Sequence, residues 1–248
     1  MEKFPIFENK KFEPKLLFKA ILMRHQEATY LEDYPGLTER GVGGAGVTGL
    51  EMKEDNFFPN KDEVVSFNSP LIRTKGTLDI AGKAAGINTE NSSAIKMLRS
   101  SDVFDEEAFD KHTDEELDGD PARIAEAFYT HDIHKNHPEI IEPHAKKKQR
   151  LYRAMEYLIR SIMKNDNNRD SSVPQIFAVS HFEIITHIID DAFGIENTGY
   201  RSPLPGEQVK IAATTMKEPN KILLDISFRG IEKQVIFDRE KRSIEQAV

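Results

Sequence analysis

The run Leu16-Leu17-Phe18-Lys19-Ala20-Ile21-Leu22 is apolar but for one lysine, holds no Gly or Pro, and stops on Met23-Arg24-His25-Gln26. A run that short and continuous reads as a strand covered on both faces, the kind found inside parallel sheets. A second strand, Glu63 to Phe67, leads into Asn68-Ser69-Pro70, where Ser69 is placed to cap a helix and Pro70 to occupy its first position. Leu71, Leu78, Ala81 and Ala85 then recur at helical spacing until Gly86. A third strand runs from Ala94 to Leu98 and a fourth from Gln175 to Val179. The fourth is followed by Ser180-His181-Phe182-Glu183, a helix from Ile184 to Phe193, and Gly194. Strands alternating with helices call for an α/β fold. The expectation is a three-layer α/β/α sandwich with a mainly parallel central sheet. One domain spans 1–248, with a helical or loop insertion, a lid, at about 99–143 after the third strand.

The connecting segments carry further expectations. Thr38 is placed to cap a helix reaching Met52, although Gly41, Gly43, Gly44, Gly46 and Gly49 oppose it by about 1 kcal/mol each relative to alanine. Gly41, Gly43 and Gly46 also match G-x-G-x-x-G, but no strand leads into them, so close helix packing explains them better than a dinucleotide. Leu151, Met155, Leu158 and Ile162 stripe a long helix from His144 to Asn165, with Lys146 to Lys148 read as a solvated face. Ser180 and Glu183 have the spacing of a capping box. The tail holds three strand-like runs, Val209 to Thr215, Ile222 to Phe228 and Ile231 to Asp238, the last two joined by a hairpin turn at Arg229-Gly230. Beyond Asp238 the sequence reads as a charged, frayed end.

Composition narrows the chemistry. With 34 Lys+Arg against 42 Asp+Glu and a net charge of -8, the chain would be repelled by a nucleic-acid backbone. It has no cysteine, which removes disulfides, thiolate catalysis and Cys-based zinc sites. Met1 to Lys15 lacks the apolar stretch of a secretory signal and no run reaches the length of a membrane span, so a soluble, cytoplasmic protein is expected. Oligomeric state is not legible. His131, His134 and His137 are spaced by threes, but steps of three drift around a helix and Pro138 breaks the end, so exposed polar residues are the simpler reading than a metal site.

Three strand ends deliver cationic or imidazole side chains to one edge of the sheet: Arg24 with His25, Arg73, and His181. Parallel strands point their carboxyl ends the same way, where open α/β sheets bind ligands. His181 also opens a helix, whose free N–H groups favour an anion. At these residues the chain resembles the histidine phosphatase superfamily, the phosphoglycerate-mutase-like proteins. The matches are Met23-Arg24-His25-Gln26-Glu27 after the first strand and Leu37-Thr38-Glu39-Arg40-Gly41 at the first helix. Further on come Ser69-Pro70-Leu71-Ile72-Arg73-Thr74-Lys75-Gly76-Thr77 and Val179-Ser180-His181. Four motifs in the family's order span most of the chain. Two departures stand out: Gln26 replaces the family's usual Gly, and Phe182 stands where Gly or Asp often follows the second histidine.

The resemblance implies a phosphatase that hydrolyses phosphomonoesters through a phosphohistidine, with His25 as nucleophile. The ring nitrogen of His25 that does not attack would be held by a backbone carbonyl. Arg24, Arg73 and a protonated His181 would bind the phosphoryl oxygens. A carboxylic acid would protonate the leaving oxygen; Asp105, in Val103-Phe104-Asp105, is the nearest counterpart of the family's acid, with Asp102, Glu106 and Glu107 close enough to compete. The substrate would be a small phosphorylated molecule, with no cofactor and no metal. Phosphoryl transfer of the phosphoglycerate-mutase type, or a non-catalytic phospholigand-binding protein, are the alternatives.

Overall fold

The structure is a computed structural model that describes residues 12–29, 36–116, 135–165, 172–194 and 203–247. Its strands form one eight-stranded sheet, ordered β3-β2-β4-β1-β5-β6-β7-β8. β1 (Leu16–Arg24), β2 (Val64–Asn68), β3 (Ser93–Ala94) and β4 (Gln175–Ser180) are mutually parallel. β5 (Gln208–Thr215), β6 (Lys221–Phe228), β7 (Ile231–Asp238) and β8 (Ser243–Gln246) continue the sheet antiparallel. The sheet is therefore mixed, with a parallel half, where a mainly parallel one was expected. The tail runs need no crossover helices, so they add as a meander to the free edge of β1. The segment after Asp238, expected to fray, pairs with β7 as β8. The third strand is only two residues, because Lys96–Leu98 turns into a 3-10 helix that buries Leu98.

Alternation along β1 and β4 assigns the two faces of the sheet. Ile21, Met23, Phe177 and Val179 pack with Leu78, Ala81 and Ala85 of α2 (Ile72–Ala85) and Met52 of α1 (Glu39–Asp55). Ala20, Leu22, Ile176 and Ala178 join the other cluster. There they meet Leu151, Ile159 and Ile162 of α4 (His144–Asn165) and Ile184, Ile185 and Ile188 of α5 (Phe182–Phe193). The fifth described helix, α3 (Glu106–Glu116), lies in the expected insertion. The middle of that insertion, 117–134, and with it His131 and His134, lies outside the described residues.

Local signals account for most boundaries. Thr38 caps α1, its Oγ1 accepting from Gly41 N–H at 2.9 Å. Close packing explains Gly49, where a Cβ would lie 2.3 Å from the carbonyl oxygen of Ala81 in α2, whereas Gly43 and Gly46 face open space. The Arg229-Gly230 hairpin has both residues at positive φ, 51° and 75°. Two expected caps do not form. Leu71 rather than Ser69 precedes α2, with no side-chain cap. His181 is the residue before α5, while Ser180 Oγ donates to the carbonyl of Leu98 at 2.7 Å, so the Ser180–Glu183 box is absent. Both serines and Glu183 are drawn into contacts around the strand ends.

Candidate active site

Strand register brings the two histidines together. Arg24 pairs with Ser180 across β1 and β4, so the residues that follow, His25 and His181, leave the sheet side by side. His25 N–H donates to the carbonyl of Ser180 at 2.9 Å, and the two rings meet edge to face, centroids 5.0 Å apart. Asn68 pairs with Val179 on the other side of β4, which sets Ser69 beside His181. Ser69 Oγ lies 2.7 Å from His181 Nε2 and 3.1 Å from Thr74 Oγ1. Arg73, in the first turn of α2, reaches back and donates from Nε to His25 Nε2 at 3.3 Å.

These contacts fix the chemistry of His25. Its Nδ1 lies 2.7 Å from the carbonyl oxygen of Gln26. A carbonyl only accepts, so Nδ1 carries the proton and Nε2 presents a lone pair, which Arg73 meets with an N–H. The backbone carbonyl expected beside one ring nitrogen of His25 is that of Gln26. Burial, then the neighbouring His181, then Arg73 and Arg24 push the His25 imidazole down to about 3. Burial, then Arg73, Arg24 and Arg150 push His181 to about 3 as well. In the free site both rings are neutral at pH 7. His181 can take the protonated form expected of it only when a negative charge enters beside it.

Arg24 is 9% exposed and held at one end, Nη1 donating to the carbonyl of Pro203 at 2.7 Å. Its guanidinium lies 4.9 Å from the ring centroid of Phe182, so the residue that departs from the family pattern covers Arg24 with an aromatic face. Arg24 Nε is buried with no hydrogen-bond partner among the described residues. Buried donors are normally satisfied, so one on the last residue of β1 fits an anion. The amino end of α5 lies at the same place, immediately after His181.

The four candidate carboxylates lie along the segment that follows the 3-10 helix Lys96–Leu98. Asp105 is exposed and starts α3, its Oδ1 accepting from Ala108 N–H at 2.9 Å. Among the described residues Oδ2 of Asp105 has no hydrogen-bond partner, and no contact joins Asp105 to His25 or His181. Asp102 pairs with Arg99, and Glu106 and Glu107 are exposed on the first turn of α3. Sequence reasoning missed a buried charge array on the α4 side. Lys147 is 0% exposed, where a solvated lysine was expected, and donates to Ser101 Oγ at 3.0 Å. Burial lowers it to about 8 against the opposing pull of Glu183 and Glu142. Arg150 bonds Glu142 Oε2 at 2.9 Å and the carbonyls of Arg99 and Ser100, and its charge is felt at His181. Glu183 accepts from Ser100 Oγ. The available signal was position: Lys147 lies one turn before Leu151 on the buried stripe of α4.

His137 packs against His112, ring centroids 4.2 Å apart. Among the described residues no group of three His, Cys, Asp or Glu side chains could hold a metal ion. No described helix is long and apolar enough to cross a membrane.

No protein-family model matches the chain, and no curated protein matches it. Solved structures do. A phosphoglycerate mutase from Bacillus anthracis superimposes with a TM-score of 0.58 at 15% identity, over 86% of this chain and 92% of that one. A mycobacterial glucosyl-3-phosphoglycerate phosphatase, solved with inorganic phosphate, gives 0.55 at 14% identity over 86% and 97%. A structure named mycobacterial hydrolase 1 gives 0.55 at 14% identity over 87% and 99%. At these identities the likeness is one of fold: the chain shares the fold of these phosphoglycerate mutase and phosphatase structures.

Proposed function

We propose that the protein is a phosphatase of small phosphomonoesters acting through a phosphohistidine on His25. The observation that carries this reading is the tautomer of His25: Gln26 holds the Nδ1 proton, and Nε2 faces Arg73 with its lone pair. In the first half-reaction Nε2 forms a bond to phosphorus as the P–O bond to the leaving group breaks. Arg24, through the Nε that has no hydrogen-bond partner among the described residues, Arg73 and His181 bind the three non-bridging oxygens. His181 takes up a proton as the dianion arrives. Asp105, on the loop beyond the 3-10 helix and with no partner for Oδ2 among the described residues, protonates the leaving oxygen. Water then attacks phosphorus, giving a proton back to the Asp105 carboxylate, the bond from phosphorus to His25 Nε2 breaks, and phosphate leaves.

The same core would serve a mutase, which returns the phosphoryl group to a second oxygen of the substrate, and one of the similar folds is a named phosphoglycerate mutase. Incubation with p-nitrophenyl phosphate and a panel of phosphosugars separates the readings. Phosphate release that vanishes in His25→Ala, with label trapped on His25 in the native chain, supports the phosphatase. Phosphate migration without release would replace it by the mutase. Tight vanadate binding with no turnover would replace it by a binding protein.

A further inference from the structure

Gln26 performs no step in that scheme, yet three elements are shaped around it. It is 6% exposed. Its carbonyl accepts the His25 Nδ1 proton at 2.7 Å, and its N–H donates to Thr77 Oγ1 at 3.0 Å. Thr77 in turn donates to the carbonyl of Arg73 at 2.9 Å, so the backbone of one residue, Gln26, links the tautomer of His25 to the turn that carries Arg73. The side chain is clamped on both sides. Nε2 donates to Thr48 Oγ1 of α1 at 3.1 Å. A Cβ on Gly44 of α1 would lie 2.7 Å from Oε1, and one on Gly206 would lie 2.1 Å from Nε2. Gly206 has a φ of 81°, and its N–H donates to the carbonyl of Arg24 at 3.1 Å. Notches on two separate elements thus receive one amide, immediately after the nucleophile.

We infer that Gln26 is a positioning residue whose clamped side chain fixes the peptide selecting the Nδ1–H tautomer of His25. The physical need is specific. In the other tautomer Nε2 carries a proton, has no lone pair for phosphorus, and opposes the N–H of Arg73. A carbonyl on an unanchored peptide can rotate away from Nδ1 and allow that form. With Gln26 gripped by α1 and by the loop at Gly206, rotation requires both contacts to yield. The inference rests on His25 as nucleophile, but tautomer state is read without turnover.

The test uses the full chain labelled with nitrogen-15 at histidine. Long-range proton–nitrogen spectra should show His25 in the Nδ1–H form in the native protein and a mixture in Gln26→Ala. For p-nitrophenyl phosphate, kcat should fall by about tenfold to a hundredfold with KM within about twofold, as for other losses of an orienting partner. Gly44→Ala probes the same clamp from the other side, because the nearest atoms its Cβ would meet all belong to Gln26. It should also mix the tautomers. Combined with Gln26→Ala it should melt about 2 °C above Gln26→Ala alone, since alanine favours the helix and the clash is gone, while kcat stays low. An unchanged tautomer and kcat in Gln26→Ala, whatever its melting temperature, overturns the inference. Absence of turnover in the native chain overturns the proposed function instead, and leaves the spectra to decide on Gln26.

Discussion

His25 and His181 face each other edge to face with 5.0 Å between ring centroids and an interplanar angle of 67°. Two imidazoles that close, both buried and flanked by Arg24 and Arg73, cannot both carry charge in the free protein, and each is lowered to about 3. The site is therefore cationic through its guanidiniums and holds its histidines in reserve as neutral groups. A tetrahedral dianion reverses the balance, since its charge offsets the arginines that keep His181 neutral.

Anion binding should accordingly take up a proton. Sulfate stays a dianion across the useful range and isolates the effect of the protein. With the free pKa of His181 near 3 and the bound pKa raised, affinity should increase as pH falls from about 8 to 5, by up to about tenfold per pH unit below the bound pKa. Titration calorimetry in buffers of different ionisation enthalpy reads the proton directly. His181→Asn should flatten the dependence, and an affinity independent of pH would refute the neutral-imidazole reading.

Stability without anion should move the other way. Both histidines have folded pKa values below the ordinary 6.5, so their neutral forms favour the folded state fully above about pH 6.5. As pH falls toward 3 the unfolded chain takes up protons that the folded one refuses. Each ring then removes about 1.4 kcal/mol per pH unit, and two rings about twice that. Denaturant unfolding between pH 7 and 4 should show this loss, halved in His181→Asn and diminished by added sulfate.

The strand ends were legible because apolar runs and the residues that stop them are local signals. Arg24, His25, Arg73 and His181 all sit where those signals place them. What sequence could not supply is register: the two rings touch because Arg24 pairs with Ser180, a relation between residues 156 positions apart (180 less 24). Ser69 shows the cost of local reading. Ser-Pro before a helix is a cap signal, but its hydroxyl lies nearer to His181, a partner 112 residues away. Lys147 misled for the opposite reason, since three consecutive lysines look solvated until the helix phase puts the middle one on the buried stripe. β8 was missed because a strand at the sheet edge needs little apolar content of its own.

Arg73 should be more important than a cation at its place requires. It donates from Nε to His25 Nε2, the nitrogen proposed to attack phosphorus. Arg73→Ala should lower kcat/KM for p-nitrophenyl phosphate by about a thousandfold or more. Arg73→Lys, a point charge without the planar fork, should recover only part of the loss. Because Arg73 is half-buried at the start of α2 and fills no core position, melting temperature should change little in either variant. Near-native turnover in Arg73→Ala would remove it from the site.

The proton donor can be identified by the substrate rather than by the protein. A p-nitrophenolate leaves without help at neutral pH, whereas an alkoxide needs its proton as the P–O bond breaks. If Asp105 supplies it, Asp105→Asn should keep turnover of p-nitrophenyl phosphate within a few-fold and lose about a hundredfold on an alkyl ester such as glycerol phosphate. Glu183→Gln is the control that matters, because Glu183 lies two residues beyond His181 and accepts from Ser100 across the same loop. Its replacement should disturb the array of Lys147 and Arg150 and lower stability, with equal effects on the two esters. A selective loss on the alkyl ester in Glu183→Gln would transfer the proton to Glu183 and reduce Asp105 to the cap of α3.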